Sequence, residues 1–433
     1  MPLIHAQGVK LANLRLQLLQ VNIRRDFLMA AILLEDQRQH HQQRRRTMWV
    51  KPWLSRRVTL GHYDTLMQEL MRESRGDFKS YLRMEPEMFR EMLDRVGPRI
   101  EKSPEGRPPL SSGLKLAITL RFLSTGNSYH SLAFNFRVAH NTICLFVPEV
   151  CDAIVMEFED DVFVTPLTPD SWKEVAGKFG KRWNFYHACG AIDGKHIAIK
   201  KPKKSGSVYY NYKGFFSIVL LGLVDAEYKF LWANVGAAGS ASDCGVFNRS
   251  SLEYCLREET LGLPPPEPLP CDDRDTPYFI VGDDAFPLRT YLVKPFSHRY
   301  LDREERIFNY RCSRGRRVVE NAFGILANRF RCLLTTLATT PETATKITKT
   351  CLILHNLMRM RYPALQNADL DVEEEHGRVI PGAWRDAAVL ADMEAIARAP
   401  RESRTGKELR VYLKHYYNSD AGSVPWQEAA INL

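Results

Sequence analysis

Three acidic residues stand where carboxylates could do chemistry: Asp193, Asp283 and Glu320. Asp193 interrupts an apolar stretch predicted to be a strand, and Asp283 ends the next clear buried strand, over residues 278–281. Glu320 lies on a predicted helix over residues 316–331. A carboxylate inside a strand is costly unless it is paired or bound to a metal. Acids at the carboxyl ends of neighbouring strands would meet in the crevice where α/β sheets bind ligands.

Such a group of acids offers hard oxygen ligands to a divalent cation. Two such cations ~3.5–4 Å apart suit phosphodiester chemistry. Each acid also has a structural interpretation, since Asp283 could cap a helix or turn. Glu320 could simply pair with Arg316 or Arg317 on its own helix.

The segments around these acids are strongly cationic. Residues 194–213 contain six lysines and no acid, and residues 311–331 contain six arginines and Glu320 as their one acid. Acids enclosed by cations fit a site that holds metal and receives a polyanion. The candidate DNA contacts in these segments are Lys200, Lys201, Lys203, Lys204, Arg316 and Arg317.

Two further stretches are candidates for DNA contact. Residues 38–57 hold seven Arg or Lys and no acid, and are either a solvated linker or a basic arm with Arg44, Arg45 and Arg46 on phosphates. A short helix after residue 128 and a second helix opening at Asn141 and Thr142 are typical of a helix-turn-helix, although any three-helix bundle has a similar pattern.

The elements that must position the acids follow from periodicity. The pattern is helical from about residue 80 to residue 157 and changes to strands near residue 185. It predicts strands at 189–200, 215–223 and 230–235, the last two forming a hairpin. A helix at 244–257, a proline-rich loop at 261–276 and a helix at 343–360 complete an α/β sheet covered by helices.

Composition sets the outer limits. With 433 residues, 45% of them apolar and 26% charged, a mainly disordered or collagen-like chain is excluded. The net charge of +9 points mildly toward polyanionic partners. No stretch reaches the ~18–20 apolar residues of a membrane helix, and the nine cysteines contain no C-x-x-C pair. We therefore expect a soluble, intracellular protein with free thiols.

Five sequence blocks, in one order along the chain, resemble the PIF/Harbinger-type DDE transposases and their domesticated nuclease descendants. They are GAIDGKHI at 190–197, YYNYKGFFS at 209–217, GSASD at 239–243, GDDAFPL at 282–288 and RRVVENAFG at 316–324. The similarity spans about residues 188–356 and closes with Leu354, His355 and Asn356. The helical region upstream is also similar.

The resemblance implies an RNase H-like mixed sheet flanked by helices, preceded by an all-helical, helix-turn-helix-like domain. The implied domains are a helical and basic arm (1–60), the helical domain (61–160), the nuclease domain (185–360), and an acidic linker with a helical tail (361–433). By position, Asp193, Asp283 and Glu320 are the catalytic, metal-binding triad for Mg²⁺ or Mn²⁺.

Asp243 matches a further acid of the family and is an additional metal-ligand candidate. Two departures concern this set: Ser242 stands where the family usually has His, and residues 282–286 read GDDAF where the family has GDSGY. A helix N-cap is the structural alternative for Asp243. Asp284 could compete for metal or perturb Asp283.

The implied function is a metal-dependent DNA endonuclease of transposase origin, acting by phosphodiester hydrolysis with or without strand transfer. The expected setting is the nucleus, with the cytoplasm also allowed, and the expected partners are DNA and a separate Myb/SANT-like DNA-binding protein. No membrane association is expected, and a homo-oligomer is compatible with the sequence. The alternatives are a domesticated, inactive protein that binds DNA, chromatin or other proteins, and an unrelated phosphoesterase acting on small molecules.

Overall fold

The computed structural model describes residues 25, 28–29, 31–32, 50–103, 109–362, 371–373, 379–382, 385, 390–392 and 402–431. Two compact units are present, Met1–Ser55 and Arg56–Leu433. The described part of the first unit contains the short helix α1 (Pro52–Ser55), and every other element below belongs to the second. The four domains expected from the sequence stay a prediction.

Helices form the first part of the second unit, as the pattern predicts. They are α2 (Arg57–Leu60), α3 (Leu66–Glu73), α4 (Arg75–Leu82), α5 (Pro86–Ile100), α6 (Ser112–Thr125), α7 (Tyr129–Phe136), α8 (His140–Val162) and α9 (Pro169–Trp183). Local capping explains several starts, because Ser111, Ser128 and Thr168 each accept a hydrogen bond from the backbone N–H three residues on. The predicted helices α6 and α7 therefore begin where their sequences supply a cap, whereas α5 and α8 begin without a side-chain cap.

The break between α7 and α8 lies at the predicted helix-turn-helix. The two helices are bent by 103° relative to each other, within the usual range of that motif. Taken together, this pair has the length and apolar composition of a membrane span. No single helix among the described residues does.

A mixed sheet forms the centre of the second unit. Its strand order is β3-β2-β1-β6-β7, with β10 also paired to β1. The strands are β1 (Ala188–Ala198), β2 (Ser217–Val224), β3 (Phe230–Ala238), β6 (Phe279–Val281), β7 (Leu292–Val293) and β10 (Ala391–Asp392). β1 runs antiparallel to β2 and parallel to β6. The predicted hairpin is confirmed, because β2 and β3 pair antiparallel.

Both faces of this sheet are covered, which explains why β2 is buried along its whole length. Alternate residues point to opposite faces. Ile218 and Leu220 join the large core shared with the α-helical region, whereas Val219 and Leu221 join a second core. That second core is closed by α9 and by two short helices, α10 (Asp243–Phe247) and α11 (Ser251–Arg257). The expected α/β class with a mixed sheet flanked by helices is confirmed.

Two predictions about the middle of the chain are wrong. The single helix expected at 244–257 is divided into α10 and α11, because Ser250 accepts from the Glu253 N–H and starts a new helix. The loop expected at 261–276 contains two paired two-residue strands, β4 (Glu267–Pro268) and β5 (Asp275–Thr276). Prolines are compatible with so short an isolated ribbon, whose outer N–H groups need no partner strand.

The helix that carries Glu320 is longer than predicted. α12 (Arg303–Arg329) begins where Asp302 and Glu305 form a reciprocal capping box. It ends before a 3₁₀ turn (Arg331–Leu334), and α13 (Pro341–Arg361) follows. On α13, Asn356 hydrogen-bonds both the N–H and the C=O of Phe230, so the closing motif residue fastens α13 to β3.

The remaining elements are β8 (Val372–Glu373) paired with β9 (Val379–Ile380), and the helices α14 (Arg404–Asn418) and α15 (Gln427–Ile431). Both helices pack on α12. Arg311 of α12 is fully buried and donates to the backbone oxygens of Asn184 and Gly422. The tail therefore braces the helix that carries Glu320.

Candidate active site

Asp193 lies in the centre of β1, with only 5% of its surface exposed. Its neighbour on β2 is Gly222, where a side chain would collide with Phe230 and press on Phe323. The close packing on this side keeps the face of β1 near Asp193 covered by α12. The acid that interrupts an apolar strand is thus held in a rigid, buried position.

Asp283 follows β6, the parallel neighbour of β1, by two residues. Parallel strands that lie side by side bring their carboxyl ends to the same edge, which explains why Asp283 approaches Asp193. One carboxylate oxygen, Oδ1, accepts from the N–H of Ala285 at 2.9 Å. The turn-capping interpretation of Asp283 is therefore confirmed, and its role in a metal site stays a prediction.

Asp243 is the first residue of α10 and is completely buried. The helix cap is Ser242, whose hydroxyl accepts from the N–H of Gly245 at 3.2 Å. The N-cap alternative for Asp243 is therefore wrong. Neither carboxylate oxygen of Asp243 has a hydrogen-bond partner.

The three aspartates meet at one point. One ligand oxygen from each of Asp193, Asp243 and Asp283 lies within 4.8 Å of the other two. Glu320 lines the same cavity of about 490 Å³, together with Asp193 and Asp283. Arg316, one turn earlier on α12, places Nη2 3.9 Å from Oε1 of Glu320, so the expected pairing is present but long. The structure thus brings together the four acids singled out from the sequence; that they are catalytic stays a prediction.

Crowding of buried acids disturbs their protonation. Desolvation, followed by the charges of Asp193 and Asp283, raises the pKa of Asp243 to about 8. Desolvation and the Asp193 charge raise the pKa of Asp283 to about 6. Burial also raises the pKa of Glu320, against the nearby Arg316. The cluster therefore holds more negative charge than its own surroundings neutralise.

Lys195 is the cation that the sequence analysis counted only as one basic residue among many. Its Nζ lies 2.9 Å from Oδ2 of Asp193, and its side chain is 9% exposed. Burial alone lowers the pKa of Lys195, but the Asp193 and Asp392 carboxylates outweigh burial and hold this pKa above its ordinary value. The available signal was the spacing, since residues two apart on a strand share a face.

A divalent cation fits this donor set. Carboxylate oxygens are the ligands preferred by Mg²⁺, Mn²⁺ and Ca²⁺. Buried polar atoms normally have a hydrogen-bond partner. Neither carboxylate oxygen of Asp243 has one within the protein, so both are available to a bound cation. Asp284 is less suited to this role, because its Oδ1 lies 3.2 Å from Nζ of Lys294.

The candidate DNA contacts are placed differently. Arg316 lines the cavity, and Arg317 is half-buried beside it on α12. Lys200, Lys201, Lys203 and Lys204 are exposed on the loop that follows β1, and Asn141 and Thr142 are exposed at the start of α8. Arg44, Arg45 and Arg46 lie outside the described residues.

Comparisons with known proteins agree with this geometry. Residues 192–356 match the DDE superfamily endonuclease model. An ALP1-like protein of Arabidopsis thaliana is 29% identical over 58% of this chain and 61% of its own length. The human nuclease candidate HARBI1 is 25% identical over 61% of this chain and 72% of its own length. No solved structure matches the chain significantly.

A third relative from Arabidopsis thaliana, named an antagonist of like heterochromatin protein 1, is 27% identical over 59% of this chain and 64% of its own length. The match begins inside β1 and ends on α13, so it contains β2, β3, β6, β7 and the four acids Asp193, Asp243, Asp283 and Glu320. The mixed sheet with its flanking helices is accordingly RNase H-like. Residues 192–356 therefore carry a DDE superfamily endonuclease domain, and this chain is similar to the HARBI1 and ALP1-like proteins.

Proposed function

We propose that this protein is a divalent-metal-dependent DNA endonuclease that hydrolyses phosphodiester bonds. The observation that carries the proposal is the convergence of Asp193, Asp243 and Asp283 within 4.8 Å, with both oxygens of Asp243 unpartnered. A buried acid without donors destabilises the fold unless something else occupies the site. The family match supports nuclease chemistry at this point.

The aspartates would hold the cation, Mg²⁺ or Mn²⁺, and Glu320 lines the same cavity as Asp193 and Asp283. When bound, a divalent cation supplies a Lewis acid that polarises the phosphate and favours ionisation of the attacking hydroxyl or water. The carboxyl of Asp243 must give up its proton to act as a ligand, since ligands bind metal deprotonated. Lys195 orients the Asp193 carboxylate through its ion pair.

DNA would approach over a cationic rim. Arg316 lines the cavity, and the exposed lysines at 200, 201, 203 and 204 extend the positive surface. Such groups bind phosphates without reading sequence. We assign base reading to Asn141 and Thr142 at the start of α8, and further phosphate contacts to Arg44, Arg45 and Arg46. A nuclear location and a Myb/SANT-like partner belong to the same proposal.

Nicking of supercoiled plasmid by the full chain tests the proposal. In Mg²⁺ or Mn²⁺ the wild type should convert supercoiled to open-circular DNA, and chelation should stop it. Asp193→Asn should abolish nicking. Mutating residues that only hydrogen-bond a metal ligand typically lowers activity about 10- to 100-fold, and loss of the ligand itself should lower it further. Asp273→Asn, an exposed acid between β4 and β5, is the matched control and should keep full activity.

The result also separates the alternatives. Salt-dependent DNA binding without nicking, in every metal tried, would favour the inactive DNA- or chromatin-binding protein. Hydrolysis of small phosphoesters without DNA binding would favour the unrelated phosphoesterase.

A further inference from the structure

The C-terminal strap, of which residues 371–373, 379–382, 385 and 390–392 are described, reaches the candidate active site through β10. Strand β10 pairs antiparallel with β1, Asp392 opposite Lys195 and Ala391 opposite His196. The other edge of β1 is taken by β2, and the register of β6 on β1 ends at Ala191. The strap therefore occupies the part of the β1 edge that β6 leaves open, next to the aspartates.

The strap brings the carboxylate of Asp392 to Lys195, the buried lysine that pairs with Asp193. The Asp392 carboxylate accepts from Nζ of Lys195, the same atom that lies 2.9 Å from Asp193. The hydroxyl of Tyr212 donates to the backbone oxygen of Asp392 at 3.0 Å, which fixes β10 from the other side. A carboxylate from a segment about 200 residues away along the chain thus lines the same cavity as Asp193, Asp283 and Glu320.

The other described part of the strap is held together by hydrogen bonds within the strap itself. Arg385 donates to both oxygens of Asp371, at 2.9 and 2.7 Å, and Asp371 also accepts from the N–H of Gly382. The Asp371 carboxylate is 1% exposed and lies within the electrostatic reach of Arg317. One acid of the strap therefore pairs with Lys195, and the other pairs with Arg385 inside the strap.

The strap also forms part of the cavity wall. Arg385, Leu390 and Asp392 line it together with Arg316 and Glu320. A carboxylate and a phosphodiester are both anions that accept hydrogen bonds from an ammonium group. With Asp392 in place, the Lys195 position is occupied, and a DNA phosphate is repelled by an additional negative charge.

We propose that the C-terminal strap is autoinhibitory: Asp392 occupies the position on Lys195 that a DNA phosphate takes, and DNA enters only after the strap leaves the β1 edge. This inference rests on the proposed nuclease function. The attachment suits a reversible device, because β10 pairs at only two positions and the Asp392 side chain is 68% exposed.

The test compares DNA binding by the wild-type full chain, Asp392→Asn and Asp371→Asn, using a fluorescent duplex in EDTA so that no cleavage occurs. Asp392→Asn should bind about two- to fivefold more tightly, the range that a partly exposed ion pair represents. Its log affinity should fall more steeply with log salt by about one phosphate contact. Asp371→Asn should change in the same direction, while the exposed Asp420→Asn, outside the strap, should match the wild type.

Hydrogen exchange gives a readout that does not depend on catalysis. Adding the duplex should speed exchange at Ala391 and Asp392 in the wild type. Equal or weaker DNA binding by a normally folded Asp392→Asn, or unchanged exchange on saturation with DNA, would overturn the proposal.

Nicking in Mg²⁺ separates failure of the strap from failure of the nuclease. If the chain nicks DNA and Asp392→Asn neither binds nor nicks better, the strap proposal fails alone. If Asp392→Asn binds DNA more tightly and nothing is nicked, the nuclease proposal fails alone. A chain that binds no duplex overturns both.

Discussion

Two buried aspartates that flank β3 along the chain have opposite surroundings. Asp225 is 3% exposed, and its Oδ1 accepts from the N–H groups of Glu227 and Lys229 at 2.8 and 2.9 Å. Asp243 is 0% exposed and accepts nothing. Burial raises the pKa of both carboxyls. At Asp225 the ammonium of Lys229 and these two donors act in the other direction and lower the pKa.

The difference separates an acid whose partners stabilise the fold from an acid that the protein leaves without a donor. The donors to Asp225 come from its own turn, so the tight β2–β3 connection is stabilised by local hydrogen bonds. The neighbours of Asp243 are Asp193 on β1 and Asp283 after β6. Their negative charges raise the pKa of Asp243 further. A position of that kind is stable only with a proton or a cation.

The largest expected effect is the difference between two single variants, in which either Asp243 or Asp225 is replaced by asparagine. Asp243→Asn should lower nicking about 100-fold or more and abolish the rise in Tm on adding Mg²⁺, because a ligand is lost. Asp225→Asn should keep both nicking and the metal-induced rise in Tm, since its amide oxygen can still accept from the N–H groups of Glu227 and Lys229. Plasmid nicking and thermal unfolding with and without metal are the measurements. Retention of the metal-induced rise in Tm by Asp243→Asn would contradict the assignment.

In the absence of metal, the substitution at Asp225 should lower the free energy of unfolding more than the substitution at Asp243. Asp225→Ala leaves two buried N–H groups without an acceptor and should lower the free energy of unfolding by about 1–3 kcal/mol. Asp243→Ala removes an uncompensated buried acid and should cost less, or even stabilise the protein near pH 8. Urea unfolding in EDTA compares the two variants. A larger loss for Asp243→Ala would show that its surroundings are better matched than its contacts indicate.

A pH effect follows from the same contrast. Between its ordinary value near 4 and its folded pKa of about 8, Asp243 is ionised in the unfolded chain but protonated in the fold. The metal-free protein therefore loses stability as pH rises through this window. Metal binding must displace the proton, so affinity for Mn²⁺ should rise about tenfold per pH unit between pH 6 and 8. Below pH 6 it should rise more steeply, since Asp283 also titrates there. Calorimetric titration with Mn²⁺ in several buffers would check the slope, and a flat profile would contradict it.

The smallest effect concerns the cap beside Asp243. Ser242→Ala removes the hydroxyl that accepts from Gly245 and should cost about 1 kcal/mol of stability. Metal affinity should stay within about twofold, because Asp243 remains in place. A large loss of metal affinity would mean that the cap orients the ligand.

Much of the sheet could be predicted because its signals are local. The β2–β3 hairpin follows from two apolar runs around Asp225, and α13 follows from periodicity. The division of α10 from α11 was missed because Ser250 is a cap that a continuous helical pattern hides. The start of α12 was missed although its capping residues, Asp302 and Glu305, have the expected spacing.

The sequence by itself determined the set of acids: Asp193, Asp283 and Glu320 from their places on strands and helix, and Asp243 from its motif. Only the tertiary structure decided that Asp243 is a buried acid without donors, that Lys195 pairs with Asp193, and that Asp392 reaches Lys195 from the tail. Capping and periodicity act between residues a few positions apart, so they are readable along the chain. Desolvation and charge depend on which distant segments meet, and only the assembled sheet and its covering helices bring those segments together.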